Sequence, residues 1–445
     1  MVNEVNEVDN DHHQEKDINN NVFKSFADEV SKLSKDQLVR GEAIHDIEQQ
    51  CLNLCQTYIG GQWLKATDPM KDIIVKRISG GFTNQLYHIH LNVDVEQKQK
   101  INKPEIDDDN EVMDVAIKLY QEKHIKNYDK ESSERLNDTI ILTIMSHTGL
   151  GPKVYGIFNN GFIQKFYKVS LLISYHKNLR ISKIFKDLIF FLSTFYFKHE
   201  QFRDKHQQNP KLLNDLARLA ARINNLNVPI NKTNNLLFQE MKNMLKTAYK
   251  INQIEQLSVE LNCKTLQKRD VRLELQEQID RITQMNIPIV FCHNDFRGNN
   301  ILVTEPHSKI LACDLEYCGY GSRGFDLASF LMEWGKKDLF HQVHQLPNDD
   351  VISTFAGLYI TECDKLVTGY SQQSVNSLEA HVREVKLMTL MNFLFFISII
   401  AKQTESIVSS LEFDLKKNIM FVENVYEEYF NLKQKLINDG TIQEL

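Results

Sequence analysis

The order of apolar and polar residues in the first third of the chain predicts β-strands. In "DIIVKRISGGFTNQLYHIHL", residues 73–78 are rich in β-branched side chains, and residues 86–91 alternate apolar with polar or aromatic side chains. Gly80 and Gly81 separate the two runs, so the pattern predicts a hairpin with a glycine turn. A third strand is predicted at "VMDVAIKLY", where Lys118 points to the face opposite its apolar neighbours.

The pattern then changes from strands to helices. A helical segment, "ESSERLNDTIILTIMSHTG", precedes two short strands, "KVYGIF" and "GFIQKFY", which the turn "NNG" joins. After residue 210, apolar residues recur at helical spacing, as in "KLLNDLARLAARINNLNVPI". The sequence therefore predicts an α+β protein with a small β-rich N-terminal lobe and a larger helical C-terminal lobe, joined near residues 164–170.

Local composition sets the expected boundaries. Residues 1–40 begin with a polar, acidic stretch that lacks the apolar core of a signal peptide, so a disordered leader is predicted. The N-terminal lobe is expected at 41–167 and the C-terminal lobe at 211–435. Residues 168–210 fit neither the strands before them nor the amphipathic helix after them, and they are interpreted as an atypical insertion.

Composition and charge exclude some classes of protein. The 445 residues are 42% hydrophobic and 25% charged, as in an ordinary globular protein with sizeable cores. The net charge of -7 argues against a nucleic-acid partner. The apolar run "LMTLMNFLFFISIIA", at 387–401, is shorter than the roughly 20 residues that span a bilayer, so we expect a core helix and no transmembrane segment. Seven scattered cysteines favour a reducing compartment.

The candidate chemistry lies in "VFCHNDFRGNNILVTEPHSKILACDLEY". A buried strand runs into Asp295, Asn300 follows five residues later, and a predicted β-hairpin leads to Asp314. Phosphoryl transfer needs one carboxylate for the proton of an attacking hydroxyl, and an amide oxygen and a second carboxylate for the Mg²⁺ on the nucleotide phosphates. Together with the glycine hairpin and the strand lysine, this order of residues predicts a phosphotransferase site.

These motifs resemble those of the choline/ethanolamine kinases, a branch of the aminoglycoside-phosphotransferase-like kinases. The resemblance rests on "HND" with "NIL", on "DLEY" and "GFDLASFLMEW", and it extends over about residues 60–430. It implies a bilobal protein-kinase-like fold with nucleotide binding in the first lobe and catalysis and substrate binding in the second. It also implies ATP-dependent phosphorylation of the hydroxyl of choline or ethanolamine, for phospholipid synthesis.

The resemblance assigns roles residue by residue. Asp295 would be the catalytic base, Asn300 and Asp314 the metal ligands, and Glu316 support for a second metal. Lys118 would bind the phosphates, with an acid partner on the helix that spacing does not choose between Glu134 and Asp138. The other residues expected to contact the nucleotide are Gly80, Gly81, Asn84, Gln164 and Phe166.

Two further residues are expected to support the loop that carries Asp295. Asp326 in "RGFDLA" is expected to brace the catalytic loop, and His293 is expected to position it rather than to act as an acid.

For the substrate, Tyr317 and Trp334 are the expected aromatic contacts of the cation, with Phe395 where choline kinases present tryptophan. Phe attracts a cation more weakly than Trp does, so choline is expected only slightly ahead of ethanolamine.

The expected partner is a small amino alcohol, the expected location is cytoplasmic, and a homodimer is compatible with the family. The alternatives are a kinase for another amino alcohol or an aminoglycoside, and a catalytically silent kinase-like protein with a binding or regulatory role.

Overall fold

The computed structural model describes residues 44–78, 84–92, 112–120, 133–167, 200–202, 204–232, 235–304, 309–335, 346–403 and 414–443. The N-terminal lobe comprises helices α1 Ile47–Tyr58, α2 Pro69–Asp72 and α3 Ser133–His147 and strands β1 Ile73–Ile78, β2 Asn84–Leu91, β3 Asp114–Tyr120, β4 Val154–Phe158 and β5 Gly161–Lys165. The strands form one antiparallel sheet in the order β1-β2-β3-β5-β4. The predicted strands are therefore present.

Alternation along these strands gives the sheet two apolar faces with different neighbours. Tyr87, Ile89 and Ile117 belong to a buried cluster with residues of α1. Leu86 and Ala116, one residue out of phase, belong to a cluster that includes residues of the C-terminal lobe. Successive side chains of a strand point to opposite faces, so one face of the sheet packs on helix α1 and the other faces the second lobe.

The C-terminal lobe is mainly helical. Its helices are α4 Asp204–Gln207, α5 Pro210–Asn224, α6 Leu236–Ile251, α7 Ile254–Glu260, α8 Lys264–Lys268, α9 Val271–Gln284, α10 Gly324–Leu331, α11 Asp349–Leu366, α12 Leu378–Lys402 and α13 Leu415–Asn438. Its strands are β6 Glu200–Gln201, β7 Ile289–Cys292, β8 Ile301–Val303, β9 Ile310–Ala312 and β10 Gly319–Ser322, which form a pair β10-β7 and a sheet β6-β8-β9.

Part of the predicted insertion is packed into this lobe. Residues 200–201 pair with β8, and the backbone N–H of Phe202 donates to the carbonyl of Gly298 at 3.2 Å. Asn209 caps α5, and Pro210 occupies its first turn, where a missing N–H costs nothing. Despite its atypical composition, the end of this segment therefore contains a strand and the start of a helix that belong to the second lobe. Residues 168–199 lie outside the described part of the chain.

The apolar run at 387–401 lies in α12. This 25-residue helix is the one helix of the described residues long and apolar enough to cross a membrane, and 89% of its most apolar window is buried inside the protein. Most of its apolar residues belong to the large cluster of the C-terminal lobe. The burial is that of a core helix, although the helix is longer than the apolar run indicated.

Candidate active site

The loop after β7 carries the proposed catalytic aspartate, and Asp326 at the start of α10 holds its backbone. The N–H groups of His293 and Asn294 donate to the two carboxylate oxygens of Asp326, each at 2.8 Å. Asn294 has a left-handed backbone with φ 61°, which turns the chain sharply out of the strand. One carboxylate thereby fixes two consecutive peptides directly before Asp295, as expected for a bracing residue.

Asp326 is itself fully buried and held from a third side. The side-chain amide of Asn224, at the end of α5, donates to Asp326 at 3.3 Å and to the carbonyl of Phe291 at 2.9 Å, and the Tyr359 hydroxyl donates to Asn224 at 3.0 Å. Burial raises the pKa of Asp326, and the N–H donors oppose that shift. Sequence reasoning missed Asn224, because only the folded chain brings it to the loop.

His293 connects the same loop to the strand that precedes Asp314. Its Nδ1 accepts from the N–H of Asp295 at 3.3 Å, and its Nε2 is 3.0 Å from the carbonyl oxygen of Cys313. Nε2 must carry the proton in this arrangement, so the ring is neutral, and burial lowers its pKa in agreement. These contacts support the expected positioning role.

Replacing Asp326 with asparagine should destabilise the loop. An amide nitrogen would face one of the two backbone N–H donors, and a buried group left without its hydrogen bond costs about 1–3 kcal/mol. We expect a lower melting temperature together with a lower kcat, measured by thermal unfolding and steady-state kinetics. Asp280→Asn, at an exposed position of α9, is the matched control. Parental stability and kcat in Asp326→Asn would contradict the bracing role.

Asp295 follows Asn294 in this loop, and each of its two carboxylate oxygens lies close to a nitrogen of a neighbouring side chain. The side-chain amide of Asn300 donates to Oδ2 at 2.6 Å, and Nε of Arg297 is 2.9 Å from Oδ1. Burial raises the pKa of Asp295 to about 6, and the charge of Asp314 adds to this, while Arg297 opposes it. Asp295 is therefore an anion at neutral pH with a proton affinity suited to a general base.

The turn between Asp295 and Asn300 is held by two residues that sequence reasoning did not assign. A Cβ atom on Gly298 would lie 2.3 Å from the carbonyl oxygen of Phe202, so only glycine fits this position. The Gly298 N–H donates to Glu333 Oε2 at 2.9 Å, and the Glu333 charge adds to the raised pKa of Asp295. Sequence reasoning gave Glu333 no role, although it directly precedes Trp334.

Asp314 follows β9 and faces the N-terminal lobe. Its backbone is left-handed, with φ 62°, and its Oδ1 accepts from Lys118 Nζ at 3.0 Å. Burial alone would lower the pKa of Lys118, but Asp314 and Glu316 outweigh burial and raise it. The structure thus pairs Lys118 with an acid of the second lobe. The Glu134 side chain lies outside the described residues, so the pairing with Glu134 or Asp138 stays a prediction.

A backbone hydrogen bond places Asn300 beside the residue that precedes Asp314. The N–H of Cys313 donates to the Asn300 carbonyl at 2.9 Å, which fixes the two residues side by side. The Asn300 amide nitrogen is engaged by Asp295, so its amide oxygen is the atom suited to a cation. No group of three or more His, Cys, Asp or Glu in the described chain forms a metal cage. The donor set fits Mg²⁺, which takes further ligands from phosphate and water.

An apolar cluster spans the two lobes beside these polar groups. It comprises Leu86, Ala116, Leu302, Leu311 and Cys313, with Ile78, Phe166 and Tyr167 packed against it. Ala116 precedes Lys118 by two residues, and Cys313 precedes Asp314 directly, so the cluster adjoins the Lys118–Asp314 pair. The cluster ends at the linker, where the ring centroids of Phe166 and His88 stack 3.7 Å apart. The Gln164 side chain is buried in β5.

The aromatic residues predicted for the cation lie in two places. The Tyr317 and Phe395 rings contact edge to face at 5.5 Å, and Phe395 also contacts Phe325 at 6.1 Å. The Trp334 ring contacts Phe330 at 6.0 Å. The structure therefore brings Tyr317 and Phe395 together, whereas Trp334 lies against the side of α10 that also contacts Phe202.

The remaining predicted nucleotide contacts fall at the edge of the described chain. Gly80 and Gly81 lie outside the described residues. Asn84 is the first residue of β2, and its side chain is not described. Their roles over the nucleotide stay predictions.

Comparison with known proteins finds relatives of this chain by sequence and by fold. A mouse choline/ethanolamine kinase is 26% identical over 300 residues, which are 65% of this chain and 61% of the mouse protein, so the match spans less than two thirds of that relative. A choline kinase structure from Cryptosporidium parvum aligns with a TM-score of 0.59 at 17% identity over 88% of this chain and 97% of its own. A Plasmodium vivax ethanolamine kinase aligns with a TM-score of 0.55 at 15% identity, over 89% and 92%.

The two solved structures establish the bilobal fold, and the family profile establishes the relationship. The profile described as choline/ethanolamine kinase matches residues 75–188 and 192–427, which include every polar residue of the site described above. Because this match covers more than three quarters of the sequence, the chain belongs to the choline/ethanolamine kinase family.

Proposed function

We propose that the protein transfers the γ-phosphoryl group of ATP to the hydroxyl of choline or ethanolamine. The observation that carries the proposal is the placement of Asp295 against Asn300, with the Lys118–Asp314 contact of 3.0 Å across the cleft. A base, an amide oxygen, a carboxylate and a cation are thus held together where the two lobes meet. These are the protein groups that phosphoryl transfer uses.

In the proposed mechanism, Asp295 accepts the proton of the substrate hydroxyl as the oxygen attacks. The Asn300 amide holds the Asp295 carboxylate in one rotamer, and Arg297 keeps it ionised at neutral pH. Asn300 and Asp314 would hold Mg²⁺, with Glu316 available to a second ion, and Lys118 would bind phosphate oxygens. Bound ATP supplies the phosphoryl group, and Mg²⁺ neutralises phosphate charge. The apolar cluster around Leu86 and Leu302 would contact the adenine base of ATP.

The complete set of polar groups favours an active enzyme over a silent kinase-like protein. Release of ADP should depend on the acceptor: with Mg²⁺ and ATP present, choline or ethanolamine should raise the rate well above the rate without an alcohol. A coupled ADP assay with both alcohols, their partly methylated forms and an aminoglycoside tests this. A rate that none of these acceptors raises would contradict the proposal.

The seven free cysteines support the cytoplasm as the proposed compartment.

The pH dependence of the reaction should report Asp295. A general base must be deprotonated, and the folded protein raises the pKa of this carboxyl to about 6. We therefore expect kcat/KM to rise about tenfold per pH unit below pH 6 and to level off above it. A profile between pH 4.5 and 8.5, with stability checked at each pH, measures this. An acid limb that persists unchanged in Asp295→Asn would assign the titration to another group.

A further inference from the structure

A buried amide at the end of α4 has no part in the mechanism above. The Gln207 side chain is 6% exposed, and both of its polar atoms contact the chain that follows α10. Its Oε1 accepts the backbone N–H of Gly335 at 2.8 Å, and its Nε2 donates to the Glu333 carbonyl at a longer distance of 3.4 Å. One side chain therefore holds the backbone on both sides of Trp334.

This stretch of backbone needs a partner because the helix before it has ended. The N–H groups of Glu333 and Trp334 still donate to carbonyls of α10, each at 3.0 Å. Gly335 has a left-handed backbone with φ 72°, a conformation in which glycine commonly terminates a helix. At this turn the chain leaves the helix, and the Gln207 amide receives the next N–H. Gln207 thus restrains the position of the Glu333 backbone.

The Glu333 carboxylate carries this restraint to the catalytic turn. Its Oε2 accepts the N–H of Gly298 at 2.9 Å, inside the turn that runs from Asp295 to Asn300. The Gly298 carbonyl accepts the N–H of Phe202 at 3.2 Å, so the same residue is held from a second side. The turn between the proposed base and the amide that orients it is therefore bonded to its surroundings at Gly298.

Helix α4 is itself anchored, which a positioning element requires. Just before it, β6 pairs with β8, the strand that directly follows Asn300. The Phe202 ring contacts the Phe330 ring of α10 edge to face at 5.6 Å. Residues 200–207 and the end of α10 therefore hold the turn between them, and the Gln207 amide is a polar link between these two segments.

We propose that Gln207 is a positioning residue for the reaction: it fixes the Glu333 backbone and, through the Glu333 carboxylate, the place of Gly298 in the catalytic turn. The inference rests on the proposed function, in which Asp295 accepts the hydroxyl proton. A base must lie within hydrogen-bond reach of its proton, and a misplacement of about 1 Å caused far from the chemistry can cost about 100-fold in rate. Loss of the Gln207 amide should therefore slow the chemical step and leave the binding of ATP nearly unchanged.

The test is the Gln207→Met variant, which keeps the length of the side chain and removes its hydrogen bonds. We expect kcat to fall roughly 5- to 50-fold, as a partial displacement of the turn would cause, with the KM for ATP within about twofold of the parental value. Gln208→Met is the matched control, since Gln208 is the next residue, is exposed, and has its amide 3.5 Å from the Asp204 carboxylate. The control should keep the parental kcat.

A double-mutant cycle tests the path through Glu333. Residues that act through one another have non-additive effects, so Gln207→Met should lower kcat less than about twofold once Glu333→Met has removed the acceptor of the Gly298 N–H. Additive losses in kcat would overturn the proposal. A Gln207→Met variant that melts at a lower temperature but keeps the parental kcat would also contradict it, because the amide would then serve stability alone.

Hydrogen exchange gives a readout that does not depend on turnover. In Gln207→Met, peptides that cover the turn should exchange the Gly298 amide faster than in the parent, whereas Gln208→Met should match the parent. Parental exchange in the turn of Gln207→Met would refute the positioning role. Failure of the proposed function would appear separately, as no acceptor-dependent ADP release by the parent protein, and exchange would then still decide what Gln207 does.

A shorter amide at the same position provides a second variant. If Gln207→Met does not fold, Gln207→Asn takes its place, because its amide is one methylene too short to reach Gly335 and it keeps a polar group at the site. The same loss of kcat and the same faster exchange at Gly298 are expected. Parental values of both in Gln207→Asn would rule out the proposal.

Discussion

Replacing Asp295 with asparagine should lower kcat by about 10²–10⁴-fold, the range that a general base contributes. The substitution keeps the shape of the side chain and removes only its charge and proton affinity. Asp295 is proposed to act on the acceptor hydroxyl and not on the nucleotide, so the affinity for ATP should stay close to that of the parent. Asn300 can still contact the new amide through its oxygen, which limits the structural change.

The measurement combines single-turnover kinetics with nucleotide binding by calorimetry. Asp280→Asn on α9 serves as the control for the loss of one carboxylate, because its side chain is exposed and lies on a helix outside the loop. If Asp295→Asn retains more than about a tenth of the parental kcat, another group accepts the proton. If instead nucleotide affinity collapses with kcat, Asp295 belongs to the nucleotide site.

Replacing Asp314 with asparagine should affect nucleotide binding and rate together. The change removes a proposed metal ligand and the ion-pair partner of Lys118, which lies 3.0 Å away in the cleft. We expect kcat/KM for ATP to fall by about 10²–10³-fold, since the loss of one preorganised charge in an active site typically costs this much. The Mg²⁺ concentration for half-maximal rate should also rise.

A titration of the rate with Mg²⁺ at fixed ATP tests this prediction. Lys118→Met is the informative companion, because it removes the same ion pair without removing a proposed metal ligand. We expect Lys118→Met to raise the KM for ATP and to leave the Mg²⁺ requirement near that of the parent. Should Asp314→Asn show the parental Mg²⁺ requirement, Asp314 is a partner of Lys118 only.

Local sequence patterns predicted the elements that hold the site. Strand alternation around Lys118 indicated its direction, and the spacing of Asp295, Asn300 and Asp314 indicated a loop, a hairpin and a second acid, all of which are present. Such features depend on residues close in sequence, because strand periodicity and turn chemistry act over a few residues. The family resemblance supplied the activity that these residues imply.

Residues that reach the site through tertiary packing could not be predicted in this way. Asn224 contacts Asp326 across 102 residues, and Glu333 contacts Gly298 across 35. The strand at 200–201 was hidden by the unusual composition before it. In each case the signal lies in the fold, since no local rule distinguishes these residues from ordinary polar side chains.

The central claim is that this chain phosphorylates an amino alcohol with Asp295 as the base, and direct detection of the product tests it best. Parent protein and Asp295→Asn would be incubated with ATP, Mg²⁺ and either choline or ethanolamine, and phosphorus NMR would follow the products. The parent should convert the γ-phosphate of ATP into a phosphomonoester of the alcohol, and Asp295→Asn should form almost none. Inorganic phosphate as the main product of the parent, or equal ester formation by the variant, would contradict the account.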